Sequence, residues 1–508
     1  MNRRQTALPL CPLPWALFLF FFLFYLIANG GHLGAYDAAM EYEVTKNLIR
    51  DGSFELKDEQ FDEVSAARGR DGKLYSPHGL GQSIAMIPFY FLGEVTTQLL
   101  PRFPEMRTHH FFISLMNPLI TAITCAILFL LQRRLGFDEK VAVSGTCVYG
   151  LFTLAFPYAK LSFDVTLTAS LLLGAAYAAY RFRQTSHYNW ALLAGTLLGS
   201  SLLTRIATLI VLPLFTTYFY FCLRNKGRNS SETAKHVVSF GLPIVVFLII
   251  VGWYNAVRFG TFYEDGHAAD AAVKFTTPFL VGLGGQLLSP GKGLLLYSPV
   301  LIFSLLGIKR LYRTHRRESL LFGGIILVNL FFYSKLANWS GDWCWGPRFT
   351  VPIVPFISLF VGAFLSGGGL QRSRGLKRVW AIILVVSFAV QILGVTINGP
   401  RRIGRRYTSG DVTPSQLYWH PAESPLVDHA GLLSRLSFNT TRMGPGTSHE
   451  IQQISYADTT PDFWFIYLYS IGFPLRSILI CGGLLIMFDI YFGYSIFRTV
   501  FRSKRKEC

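Results

Sequence analysis

Residues 15–28 read WALFLFFFLFYLIA, and eight positions later residues 36–43 read YDAAMEYE. The first string is almost wholly apolar, follows Arg3 and Arg4, and has no small-residue cleavage site after it. It therefore reads as a retained membrane span, over 13–29, entered from the cytoplasmic side rather than as a removable leader. The second string then emerges on the opposite face. A run carrying Asp37, Glu41 and Glu43 at an outer membrane surface asks for a chemical reason.

The rest of the chain repeats the first string's pattern. Of 508 residues, 51% are hydrophobic and 15% charged, and apolar runs able to cross about 30 Å of hydrocarbon recur throughout. Besides 13–29, spans are expected over 109–131, 141–158, 163–181, 189–203, 206–222, 236–254, 294–308, 319–335, 349–366, 378–397 and 474–497. About twelve spans leave both termini in the cytoplasm, and the expected class is an all-α polytopic membrane protein.

Net charge is +18, which in a soluble chain would suggest nucleic acid. Here 25 of the 47 Lys and Arg, but 5 of the 29 Asp and Glu, fall on the expected cytoplasmic side. The excess is thus an orientation signal and no nucleic-acid partner is expected. The seven cysteines sit mostly in apolar spans, with Cys344 in an outer loop and no CxxC pair, so neither a disulfide framework nor a metal site is indicated.

Two outer regions exceed simple connectors. In 29–108, Met40/Val44/Leu48 and Leu80/Ile84/Ile87/Phe91 have helical spacing, which predicts two interfacial helices, the second interrupted by Pro88. Residues 399–461 are rich in Pro, Gly, Ser and Thr and predict a small irregular or mobile cap. The chain is accordingly divided into a transmembrane module over 1–398, an outer loop or cap over 399–461, and a last span with a basic tail over 462–508. No internal repeat is evident, which argues against an inverted-repeat transporter.

Several outer residues carry chemistry. Asp37 and Glu41, four apart, would share a helix face and raise each other's pKa, as a general base requires; the alternative is two solvated carboxylates. Asp164 opens the fourth span and suits either function or helix capping. Arg205 stands at the outer turn of a helical hairpin. Residues 287–293, LLSPGKG, expose backbone N–H groups beside Lys292 and could hold a phosphate, although the glycine spacing is not that of a P-loop. Residues 339–348, WSGDWCWGPR, combine three indoles with Asp342 and Arg348; Trp343 suits sugar stacking and Arg348 phosphate pairing.

Taken in order, the acidic motif at Asp37, residues 71–79 (DGKLYSPHG), Asp164, residues 203–205 (LTR), residues 254–260, SPGKG at 289–293 and WGPRF at 345–349 resemble the GT-C superfamily of membrane glycosyltransferases. The likeness covers about residues 10–400 and is nearest the polyprenyl-phosphate-dependent branch, which includes protein O-mannosyltransferases and lipid A aminoarabinose transferases. The chain departs from it where Asp37-Ala38 replaces an Asp-Glu pair, and where Ser76-Pro77-His78 replaces a Lys-Pro-Pro element.

The resemblance implies a GT-C-like bundle and inverting sugar transfer from a polyprenyl-phosphate donor to a lipid, glycan or protein acceptor. Asp37 is the implied base, with Glu41 and Asp164 as further catalytic candidates. Arg205, Lys292 and Arg348 would face the phosphate, and Tyr75, His78, His267, Asp342 and Trp343 would contact substrate. No cofactor is implied and a metal is not required. The expected place is a bacterial inner membrane with the site facing outward. The alternatives are transfer or polymerisation of a lipid-linked oligosaccharide, and a non-enzymatic transporter or flippase.

Overall fold

The computed structural model describes residues 12–61, 66–224, 230–267, 274–371, 373–437 and 458–502. Its one sheet among these residues is a short pairing of β1 (Ala67–Arg68) with β2 (Leu74–Tyr75), Ala67 opposite Tyr75. Everything else regular is helix. The chain runs through α1 (Leu13–Ala28), α2 (Tyr36–Asp51), α3 (Leu80–Leu99), α4 (Glu105–Ser114), α5 (Met116–Arg134), α6 (Glu139–Phe152), α7 (Ala155–Lys160), α8 (Asp164–Thr185), α9 (Tyr188–Thr204), α10 (Leu212–Arg224) and α11 (Ser230–Phe259). It continues through α12 (Phe279–Leu288), α13 (Leu294–Tyr297), α14 (Ser304–Thr314), α15 (Arg316–Lys335), α16 (Val354–Ser366), α17 (Arg374–Thr396), α18 (Gly399–Thr408), α19 (Pro414–Trp419), α20 (Pro425–Leu433), α21 (Trp464–Ser470) and α22 (Leu475–Phe497).

Each of the twelve stretches expected to span is helical. Among the described residues, seven helices are long and apolar enough to cross a membrane by length and composition. Five of the twelve stretches are broken or tightened near one end: at Leu115 between α4 and α5, between α6 and α7, at the 3-10 turn 206–211 before α10, at the 3-10 turn 299–303 before α14, and at the 3-10 turn 348–353 before α16. Those ends all lie opposite the basic clusters. Pro299 and Pro352 sit in two of the breaks, where a missing N–H prevents regular α-helix.

The bundle packs α1 against α5 and α22, α8 against α5 and α9, α9 against α11, and α14 against α16. In the last pair the backbones touch: a Cβ at Gly307 would overlap the Phe360 carbonyl oxygen. Small residues are what allow such close approach where lipid removes the hydrophobic drive for association.

The first outer region folds as its periodicity predicts. α2 ends at Gly52 in the left-handed conformation, and α3 runs through Pro88 and packs on α2, α4 and α9. Arg50 of α2 ties these helices together, pairing with Glu105 of α4, approaching Glu94 of α3 at 3.5 Å, and donating from Nε to the Tyr90 hydroxyl at 2.8 Å. The second outer region differs from the irregular cap expected. Its described part holds three short helices, started by the side chains of Asn398, Thr413 and Ser424, each of which accepts a backbone N–H of the first turn. Helices of six to ten residues are too short to show as apolar periodicity, and 438–457 lie outside the described residues.

Candidate active site

Charged side chains meet beside two of these interrupted helix ends. Asp37 lies in the first turn of α2, where the helix N-terminus favours a carboxylate. Arg348 opens the 3-10 turn before α16, and the loop leading to it is fixed by its own contacts. Asp342 has φ +60°, with its N–H donated to Asn338 Oδ1 at 3.2 Å. Gly341 has φ +74°, and a Cβ there would sit 2.7 Å from the Arg348 Cγ. Only glycine tolerates both the backbone and the neighbour.

Two carboxylate–guanidinium pairs stand side by side. Arg348 Nη1 donates to Asp37 Oδ2 at 2.6 Å, and Arg348 Nη2 lies 3.6 Å from Asp342. Arg205, at the end of α9, donates from Nη1 to both oxygens of Asp164 at 2.8 and 3.0 Å, and from Nε to the Tyr333 hydroxyl at 3.0 Å. Between them lies the Phe349 ring, 5.0 Å from the Arg205 guanidinium and 5.2 Å from that of Arg348. Asp164 makes no side-chain cap to its helix; its carboxylate is taken up by Arg205.

Electrostatics separate Asp37 from Glu41: of the expected mutual rise in pKa, Glu41 is raised in part by Asp37, whereas Asp37 is lowered. Burial pushes the Asp37 carboxyl up, but the Arg348 guanidinium, with His78 and Arg205, outweighs it and holds the group at about 2. Glu41 is 2% exposed, and burial together with the charges of Asp164 and Asp37 pushes it well above the usual carboxylate range. Its Oε2 has no hydrogen-bond partner among the described residues. The two carboxyls are thus pushed in opposite directions, Asp37 down by its guanidinium partner and Glu41 up by burial. His78 Nε2 lies 3.9 Å from Asp37, and burial lowers its pKa.

Two cavities meet at this centre. The inner one, about 770 Å³, has an apolar wall from Leu202, Leu203, Ile206, Leu209, Ile210 and Val251, and a polar end containing Asp164, Arg205, His78 and His267. The outer one, about 420 Å³, is lined by the α2 start, α4, the Trp343 loop and residues 397–402 and 458–462. They share Tyr36, Asp37, Asp342 and Arg348.

Most residues singled out in the sequence line these cavities, but Glu41, Tyr75 and Lys292 do not. Tyr75 lines neither cavity and donates to Asp71 at 2.8 Å. Lys292 is fully buried, its ammonium donating to the carbonyls of Asp342 at 2.6 Å and Cys344 at 2.8 Å. The backbone of its loop is also engaged, since Gly291 N–H donates to Tyr418 and Gly293 N–H to Ser289. The anion cradle expected there is therefore a brace for the Asp342–Arg348 loop. Sequence reasoning missed Tyr333, and a second cluster in which Lys160 contacts Asp462 at 2.8 Å and His32 contacts the same carboxylate at 2.6 Å. Against burial, which raises it, Lys160 and His32 hold Asp462 well below its ordinary value.

Sequence comparison finds no matching family model and no matching curated protein. Comparison of folds does find likeness. The structure of ArnT from Cupriavidus metallidurans bound to undecaprenyl phosphate superposes with a TM-score of 0.50 at 12% identity, over 95% of this chain and 74% of ArnT. The fold is GT-C-like. The same enzyme without ligand aligns over 96% of this chain and 77% of its own at 13% identity, with a TM-score of 0.49.

Proposed function

We propose that the protein transfers a sugar from a polyprenyl-phosphate donor to an acceptor hydroxyl at the outer face of a bacterial inner membrane. The observation that carries this reading is the placement of Asp37 where a cavity with an apolar wall and two guanidiniums meets a second cavity lined by charged and aromatic side chains. The undecaprenyl phosphate bound to ArnT is a ligand of the class that an apolar cavity ending in two guanidiniums suits.

The chemistry follows from the pairs. In the free enzyme Arg348 holds Asp37 at about 2, too acidic to be an effective base near neutral pH. A donor phosphate in the inner cavity competes for Arg348 and Arg205, and as it takes the Arg348 fork the Asp37 carboxylate is released and becomes more basic. The acceptor oxygen then attacks the anomeric carbon, the bond from that carbon to the phosphate oxygen breaks with its electron pair leaving on the polyprenyl phosphate, and the hydroxyl proton passes to Asp37. A single displacement inverts the anomeric centre. Arg348 and Arg205 meet the charge developing on the leaving phosphate. Asp37→Asn keeps the shape and loses proton acceptance, so sugar transfer by the purified protein in lipid is expected to fall by roughly 10²–10⁴-fold with donor binding retained. Near-normal turnover in that variant would remove the base and the reaction built on it.

A further inference from the structure

Resting on the transfer reaction proposed above, the outer cavity narrows the acceptor. We infer that it receives a neutral polyhydroxylated group, the end of a saccharide, rather than an aliphatic alcohol or a peptide side chain. It shares only Tyr36, Asp37, Asp342 and Arg348 with the inner cavity, which sets its occupant opposite the donor across Asp37.

Its lining sets the class. Carboxylates (Glu43, Asp458), an amide (Asn398), guanidiniums (Arg107, Arg402) and an imidazole (His110) share its wall with apolar and aromatic side chains such as Leu33, Met106 and Phe163, a mixture that suits a ring with polar edges and C–H faces. An aliphatic chain there would strip water from charged groups without replacing their hydrogen bonds. An anionic group is equally unsuited, because the cations are offset by carboxylates: Arg402 donates to Asp428 at 2.8 Å through both Nε and Nη2, and to Asp458 at 2.7 Å through Nη1. What remains is a need for groups that donate and accept at many points. Hydroxyls do both.

Two further features favour a sugar ring over a single hydroxyl. His110 is 7% exposed, stands edge-on to the Tyr42 ring at 4.7 Å, and its Nε2 has no hydrogen-bond partner among the described residues. Its ring lines the cavity, and an imidazole can pair with a hydroxyl in either tautomer. At the rim, Trp343 is 42% exposed although it is held against Tyr407 at 5.8 Å. A fixed, uncovered indole beside convergent hydrogen-bonding groups presents a flat face to the C–H side of a pyranose. At about 420 Å³ the cavity also falls in the range of small-ligand sites.

The test uses the full chain in phospholipid nanodiscs without donor, so that it does not depend on turnover. An N-acetylglucosamine trisaccharide, a serine-containing hexapeptide and decanol are each titrated and read by saturation-transfer NMR. Saturable binding of the saccharide alone is expected, with affinity lowered about tenfold by Trp343→Ala and lowered also by His110→Leu, whose folding is checked by its retained melting temperature. Preferential binding of the hexapeptide or of decanol, binding of none of the three, or saccharide binding that Trp343→Ala and His110→Leu leave unchanged, would each overturn the inference. Release of polyprenyl phosphate from a polyprenyl-phosphoryl hexose is followed in parallel. Asp37-dependent release without saccharide binding refutes the acceptor class alone, whereas absence of release refutes the transfer reaction.

Discussion

Replacing Arg348 with alanine perturbs the base and the phosphate site together, and the structure lets the two effects be weighed. The variant removes the 2.6 Å pair to Asp37 and one of the two guanidiniums flanking Phe349. For a donor phosphate, losing a charge-assisted hydrogen bond is worth roughly 1.5–3 kcal/mol, so kcat/KM at pH 7 should fall about 10- to 150-fold. Asp37 meanwhile loses its main depressing partner, so its pKa rises from about 2 toward or above its ordinary value of 3.8. A stronger base recovers part of the loss, but the leaving phosphate is the larger demand and the net effect stays negative. The sign for stability runs the same way. A carboxyl depressed in the folded state contributes stability above its unfolded pKa and loses it as pH falls through about 2, here about 2 kcal/mol. Arg348→Ala should therefore melt lower than wild type at pH 7, with the gap closing as pH falls toward 2. The assay is kcat/KM against pH between 4 and 8 on purified protein in lipid, with melting followed alongside. In wild type the free-enzyme acid limb lies below this window, and in Arg348→Ala it enters it. Arg348→Lys should keep charge but not the fork and fall between. Full activity in Arg348→Ala with no movement of the acid limb would refute the ion-pair reasoning.

Other outcomes are expected from the same geometry. Asp164→Asn should raise KM for donor more than it lowers kcat, because it loosens Arg205 without removing the base; titration of both parameters separates the two. Lys292→Met should lower both melting temperature and activity although the residue lines neither cavity, since the loop bearing Asp342 and Arg348 loses two carbonyl contacts; unchanged activity would assign the brace no part in positioning. Single cysteines at Ser231 and Ser409 in a cysteine-free background should label from opposite faces of the membrane, and labelling of both from outside would overturn the orientation read from the basic clusters.

The helices were legible because lipid imposes a length and an apolarity that show in any window of the chain, and the 3.6-residue period of Met40/Val44/Leu48 exposed α2 equally well. The carboxylates and guanidiniums were legible one by one, as charges at the ends of apolar runs. Their partnerships were not. Asp37 and Arg348 are 311 positions apart, and Lys160 meets an Asp462 oxygen across 302. No local pattern encodes such pairs. The opposed titration of Asp37 and Glu41 was hidden for the same reason, since it depends on which carboxylate the distant guanidinium reaches. Lys292 misled because a glycine-flanked lysine reads as an anion site until α19 is seen lying over it.

The two cavities are made from different stretches of chain. The apolar one belongs to α9, α11, α15 and the turns among them, whereas the polar one takes much of its wall from 397–402 and 458–462. Substitutions in the cap segments can therefore reshape one chamber while leaving the walls of the other intact. Such a molecule can change what it decorates by exchanging a short extramembrane insert, keeping the costly membrane-embedded part as a constant chassis, and chimaeras that swap 399–461 between relatives offer a direct way to redirect it.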